Sequence, residues 1–176
     1  MRWLWSIALL VACGGNAEGA AAEQTAKTAA VDEAPAKVGY DVRRLRPRNE
    51  EPLADMFDRM ASEARAEGKH VAVLFSADWC EPCRVLELEL GNLHPAEEIG
   101  HVRILEMKEE DWERATRMNE FNELRRRWSA PLNVYPLFLL LDDSGAKIEE
   151  MQEAKDRLEA EGKQATIPNW FAALRA

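Results

Sequence analysis

Apolar residues recur at Leu53, Met56, Phe57, Met60, Ala61 and Ala64. That three-and-four spacing lines one face of a helix and predicts one over residues 50–67. Pro52 suits its first turn and Gly68 its stop. The periodicity then changes. Val71 to Phe75 is a continuous apolar run, as expected of a strand covered on both faces of a sheet. Helical character resumes from Glu81 to Leu90, and His94-Pro95 opens a short helical piece ending near Gly100. In residues 101–107, Val102, Ile104 and Glu106 alternate with the others in a second strand. Residues 109–128 read as one charged helix, with Glu110/Arg114, Glu113/Arg117 and Glu123/Arg127 at i,i+4 and its charges on a solvated face. Pro131 and Asn133 mark a loop. Leu137 to Leu141 is a strand, Asp142-Asp143-Ser144-Gly145 a hairpin turn, and Lys147 to Met151 the returning strand. A polar helix at 153–161 and an amphipathic one at 168–174, bearing Trp170, Phe171 and Leu174, close the chain.

Helices between the first strands imply parallel crossovers, and the last strand pair is antiparallel. The expected class is α/β, with a central mixed sheet flanked by helices over residues 41–176. The residues before it have another character. Arg2 precedes an apolar run from Trp3 to Ala12. That run is shorter than the roughly 20 residues a bilayer span needs, and it fits a signal peptide over 1–12. It ends Leu10-Val11-Ala12-Cys13, which resembles the lipobox of bacterial lipoproteins. The resemblance implies cleavage before Cys13, lipidation of Cys13 and a membrane anchor, for which two or more acyl chains suffice. The protein is then exported, facing the periplasm or cell exterior, and Gly14 rather than Asp after the cysteine tilts toward an outer membrane. The alternative is an ordinary signal cut later, among Ala20-Ala21-Ala22. Residues 13–40, rich in Ala, Glu, Gly and Thr, read as a flexible tether.

Apolar residues make up 47% of the 176-residue chain, enough for a packed core. The formal net charge of −9 argues against a nucleic-acid partner, which needs a basic surface. The cysteines, Cys13, Cys80 and Cys83, are too few and too clustered for a disulfide scaffold.

Cys80 and Cys83 follow a buried strand and open a helix. Backbone N–H groups and the helix dipole there favour a thiolate at Cys80, and Cys83, one turn on, is placed to resolve a mixed disulfide. Pro82 is tolerated because its missing N–H has no partner in a first turn. Three blander readings compete. As a staple, so small a loop contributes only about 2 kcal/mol in the chain-entropy model. Zinc wants four ligands, and His70, His94 and His101 show no ligand spacing. Haem attachment wants C-x-x-C-H, and residue 84 is Arg. No metal or dissociable cofactor is implied. Trp79 is a candidate wall of the site and Tyr135 a candidate for shaping a substrate groove. Glu81 sits between the cysteines. At roughly 6 Å its repulsion of a thiolate is about 0.7–2.8 kcal/mol, comparable to the opposing roughly 0.3–2 kcal/mol of a helix terminus. A less stabilised thiolate makes a less oxidising disulfide, so the balance leans toward a reductant.

Val71 to Arg84, VAVLFSADWCEPCR, resembles the active-site strand and turn of the thioredoxin superfamily, and Val134-Tyr135-Pro136-Leu137 sits where that superfamily has its cis-proline loop. The resemblance covers residues 50–175 and is nearest to thioredoxin-like modules of exported bacterial proteins. It implies that Pro136 packs against the Cys80–Cys83 disulfide and helps present backbone to a peptide. One departure stands out: where these proteins keep an Asp under the cysteines, this chain has Leu74. The expectation is an extracytoplasmic thiol–disulfide oxidoreductase that reduces disulfide-containing proteins. Cys80 attacks with its sulfur open to solvent, Cys83 resolves, and a separate thiol donor re-reduces the pair. The alternatives are a disulfide oxidase or isomerase, and a non-catalytic thioredoxin-like binding module.

Overall fold

The apolar run expected to form a buried strand is the middle of the sheet. A computed structural model of the protein describes residues 35–175. The signal peptide, Cys13 and most of the tether lie outside them. Strand β1 is Lys37–Gly39, β2 Asp41–Arg44, β3 His70–Ser76, β4 Leu93–Pro95, β5 Val102–Lys108, β6 Leu137–Leu141 and β7 Lys147–Glu150. Helix α1 is Leu53–Ala66, α2 Glu81–Leu90, α3 Ala96–Ile99, α4 Glu109–Arg114, α5 Met118–Arg126, α6 Met151–Ala160 and α7 Ile167–Ala172. A five-stranded sheet has the order β2-β5-β3-β6-β7. β2, β5 and β3 run parallel, and β6 and β7 return antiparallel.

The first described strand begins at Lys37, ahead of the expected start at residue 41. β1 pairs with β4, and β2 lies beside β5 with Val42 opposite Ile104. The alternation read into residues 101–107 is absent, because β5 lies between two neighbours with helices over both faces and is buried at all seven positions.

One face of the sheet packs Val71, Val73, Phe75, Leu105 and Leu139 against α1, α4 and α5 through Leu53, Phe57, Trp112, Phe121 and Leu124. The other packs Ala72, Leu74, Ile104, Phe138 and Leu140 against α2, α3, α6 and α7 through Leu86, Ile99, Leu158, Trp170 and Phe171. Fully burying such a side chain contributes about 1.5–3 kcal/mol. The edge-to-face pair of Phe138 and Trp170, 5.2 Å between centres, marks this core, and Phe138→Ala would cost about 3–5 kcal/mol.

The single helix expected over 109–128 is two. Thr116 takes a positive φ of 56° and breaks it between α4 and α5. None of the three expected i,i+4 ion pairs forms among the described residues, and the break itself separates Glu113 from Arg117. Arg117 pairs with Glu120 at 2.6 Å, and Arg127 with Asp58 of α1 at 2.6 Å. Glu120 also accepts the Leu53 N–H at 2.8 Å, supplying the start of α1 that Pro52, standing one place before the helix, leaves uncapped. The hairpin forms as expected. Gly145 takes φ 85°, and the Asp142 carboxylate accepts the Ala146 N–H at 2.9 Å.

Candidate active site

β3 ends at Ser76, and Ala77 to Trp79 turn the chain into α2. Cys80 is the capping residue of that helix, with extended backbone (φ −83°, ψ 110°), and its Sγ accepts the Cys83 N–H at 3.2 Å. Cys80 and Cys83 form a disulfide with Cα atoms 5.2 Å apart. The sulfur therefore occupies the place where a Ser or Asp oxygen usually satisfies an unpaired helix N–H. The same N–H would hold a negative sulfur once the bond opens.

The surroundings correct one expectation. Cys80 is only 4 % exposed and Cys83 2 %, because Ala77 and Tyr135 pack over the pair and each sulfur covers the other. Access is along a rim: Trp79 is 65 % exposed, and Glu81 and Pro82 face solvent beside it. A cleft of about 1140 Å³ starts at Glu81, Pro82 and Val85, runs past Tyr135 and Pro136, and continues to Met151 and Ile167. Pro136 thus shares a cleft with the residues between the cysteines, and the Tyr135–Pro136 peptide is cis.

Trp79 and Tyr135 meet edge to face at 5.5 Å. The indole N–H of Trp79 donates to Glu109 at 3.0 Å, and the Asp78 N–H donates to Glu110 at 2.7 Å, so α4 fixes the turn before Cys80. Burial pushes the Tyr135 phenol up to about 12, against the pull of Arg125. The Glu81 carboxylate is not left facing the cysteines: it pairs with Arg84, one turn along α2, and Arg84 also donates to the Asp78 carbonyl at 3.1 Å.

Beneath the helix, Leu74 supplies no carboxylate. Its register partner on β5 is Glu106, and Glu106 is 7 % exposed. Glu106 accepts from the Ser76 hydroxyl at 3.3 Å. Burial raises its pKa, with Lys108 and Arg44 opposing. Lys108, two residues along the strand, donates to Asp78 at 3.1 Å and pairs with Glu87 of α2. Burial works against the Lys108 charge, but those two carboxylates prevail and raise its pKa. The Lys108 hydrogen bond in turn holds Asp78 below the usual carboxylate range, against burial. In the sequence Glu106 stands out only as a lone acid in a largely apolar strand.

The histidines serve elsewhere. His94 lies 3.1 Å from Glu89, and His101 Nε2 lies 3.0 Å from the Phe171 carbonyl. Among the described residues no group of three or more His, Cys, Asp and Glu side chains could hold a metal ion. Cys13 lies outside the described residues.

Comparison with known proteins bears on this arrangement. No curated protein matches the chain in sequence. A disulphide isomerase from Xylella fastidiosa Temecula1 is similar in structure at 19% identity, covering 75% of this chain and 98% of its own, with a TM-score of 0.49. A poplar thioredoxin h is similar at 23% identity, covering 69% and 92%, with a TM-score of 0.43. A thioredoxin from Nicotiana alata is similar at 19%, covering 72% and 93%, with a TM-score of 0.46. The thioredoxin-like domain model matches residues 57–165, a stretch that holds both cysteines, the cis-proline loop and four of the five main strands. With more than half of its length so matched, the chain belongs to the thioredoxin-like family.

Proposed function

We propose that the protein is an exported, lipid-anchored thiol–disulfide oxidoreductase that reduces disulfides in other proteins. The observation that carries this reading is the Cys80 sulfur at the start of α2, bonded to Cys83, hydrogen-bonded to a helix N–H and followed directly by Glu81 and Pro82, which line one end of a long cleft.

In the reduced protein the Cys80 thiolate attacks one sulfur of a substrate disulfide. The substrate S–S bond breaks, its other sulfur leaves as a thiolate and takes a proton from solvent, and a mixed disulfide joins Cys80 to the substrate. Cys83 then loses its proton and attacks the Cys80 sulfur. The second substrate sulfur leaves, and two electrons have passed from the dithiol to the substrate. Among the described residues Glu106 is the one buried carboxylate. Its raised pKa suits it to take up the Cys83 proton in place of the acid absent at Leu74. A thiol donor outside this chain returns the pair to the dithiol. Trp79, Tyr135 and Pro136 form the walls along which substrate backbone lies. Pairing of Glu81 with Arg84 weakens its repulsion of the thiolate, so the direction of transfer rests on the reduction potential and not on Glu81.

Insulin reduction coupled to dithiothreitol tests the chemistry: the wild type should precipitate insulin, and Cys80→Ser at full activity would exclude Cys80 as nucleophile. Direction is read from the reduction potential, expected below about −220 mV; a value near −120 mV marks an oxidant. A Cys83→Ser variant should trap its substrates as mixed disulfides. The leader and the Leu10-Val11-Ala12-Cys13 sequence support export and anchoring. Labelling cells with radioactive palmitate should mark the wild type and not Cys13→Ala.

A further inference from the structure

Helix α5 holds a charge that the redox chemistry above leaves unused. Arg125 is 0 % exposed, and its Nε and Nη1 have no hydrogen-bond partner. Its Nη2 donates to two carbonyls of the loop before β6, Pro131 at 2.5 Å and Val134 at 2.9 Å. The guanidinium lies over aromatic faces, 4.5 Å from the centre of Tyr135 and 5.2 Å from that of Phe75. No carboxylate comes within ion-pair distance of it among the described residues. The acid that acts on it is Glu109, whose carboxylate accepts the Trp79 indole N–H. Burial works against the Arg125 charge, with Tyr135 and Glu109 in its favour.

A buried cation without a counter-ion is costly, and an apolar side chain of like volume would fill the space without that cost. Packing therefore does not account for a guanidinium here. Two features use the cation. Its Nη2 alone reaches the carbonyls of Pro131 and Val134 together, and so sets the loop that ends in Tyr135 and Pro136. Its charge sits under Tyr135, the residue packed on Ala77, Cys80 and Cys83. A field acting through packed, water-free side chains is screened far less than one at the surface. The anion that forms when the disulfide opens is the charge this cation lacks.

We propose that Arg125 is a positioning residue for the redox pair, holding the Pro131–Pro136 loop against it and, through Tyr135, favouring the thiolate of Cys80. The proposal rests on the reading of Cys80 as the attacking thiol. The two functions separate by substitution. Arg125→Met removes both the charge and the donor nitrogen. Arg125→Gln removes the charge and keeps one donor for a loop carbonyl.

The test is the rate at which iodoacetamide alkylates Cys80 as a function of pH, in the full chain carrying Cys83→Ser and read by mass spectrometry at Cys80. Both Arg125 variants should raise the midpoint by about one pH unit, a roughly tenfold slower alkylation at a pH below it. In the chain with Cys83 intact, KM for a polypeptide disulfide should rise several-fold in Arg125→Met and less in Arg125→Gln. A midpoint in Arg125→Gln equal to that of the parent would overturn the electrostatic role, and Arg125→Gln decides it alone if Arg125→Met does not fold. An arginine that only filled space would leave that midpoint in place. Alkylation needs no turnover, so a protein that reduces no disulfide sinks the redox reading while the midpoint still judges Arg125.

Discussion

Helices α2 and α7 begin in the same way. Each has an extended capping residue whose side chain accepts the N–H three residues on: Cys80 Sγ from Cys83 at 3.2 Å, and Thr166 Oγ1 from Asn169 at 3.3 Å. Each has proline as the second helical residue, Pro82 and Pro168, and both starts line the same cleft. The backbone thus makes one device twice, a cap that draws electron density toward unpaired N–H groups. At α7 the cap is a hydroxyl, and the device does nothing but start a helix. At α2 the cap is a sulfur and the residue it reaches is another sulfur, so the hydrogen bond that ends a strand-to-helix turn also sets up a covalent bond. Chemistry here comes from the capping atom; the local fold is common to both.

Exchanging features between the two starts gives the sharpest tests. Cys80→Ser makes α2 start as α7 does. Serine is a good cap, so circular dichroism should show the helix kept, while disulfide exchange should fall to background, on the order of 10³-fold or more. Glu106→Gln removes an acid that α7 has no counterpart for. Resolution of the mixed disulfide should slow by about 10²-fold, seen in quench-flow as accumulation of the mixed species with the first attack unchanged. The same variant carries a pH signature. The folded-state pKa of Glu106 is raised, so the folded protein binds its proton more tightly than the unfolded chain does. Wild-type stability should therefore fall as pH rises from the ordinary carboxylate range through the raised value. Urea denaturation at stepped pH should show that slope in the wild type and not in Glu106→Gln. Thr166→Ala should lower stability by about 1 kcal/mol by the same denaturation and leave the alkylation midpoint of Cys80 where it is. The smallest effect is Glu81→Gln. Its carboxylate is largely exposed and paired with Arg84, so the Cys80 midpoint should drop by about half a unit or less.

The strand β3, the helix α2, the hairpin and the cysteine pair were legible because apolar runs and Gly, Pro and Asp signals lie within a few residues of one another. What escaped depended on distant partners. β1 and β2 are three and four residues long, and their sequences, KVG and DVRR, become strands only because Leu93–Pro95 and β5 lie alongside. The break at Thr116 is made by a positive φ at a residue that favours none, and no proline or glycine announces it. Arg125 belongs to a run read as a solvated face, and burial of one arginine among Arg126 and Arg127 cannot be told from spacing. At the site, the two sulfurs were visible as a motif. Glu106 was hidden by register: it reaches the level of Leu74 from another strand.

The outer strands of the five-stranded sheet, DVRR in β2 and KIEE in β7, place charge along both open margins. An open sheet margin risks a neighbouring chain zipping on as an extra strand, the first step toward aggregation. Charged margins discourage that docking. The sheet is thereby kept from lengthening by one more strand at either side.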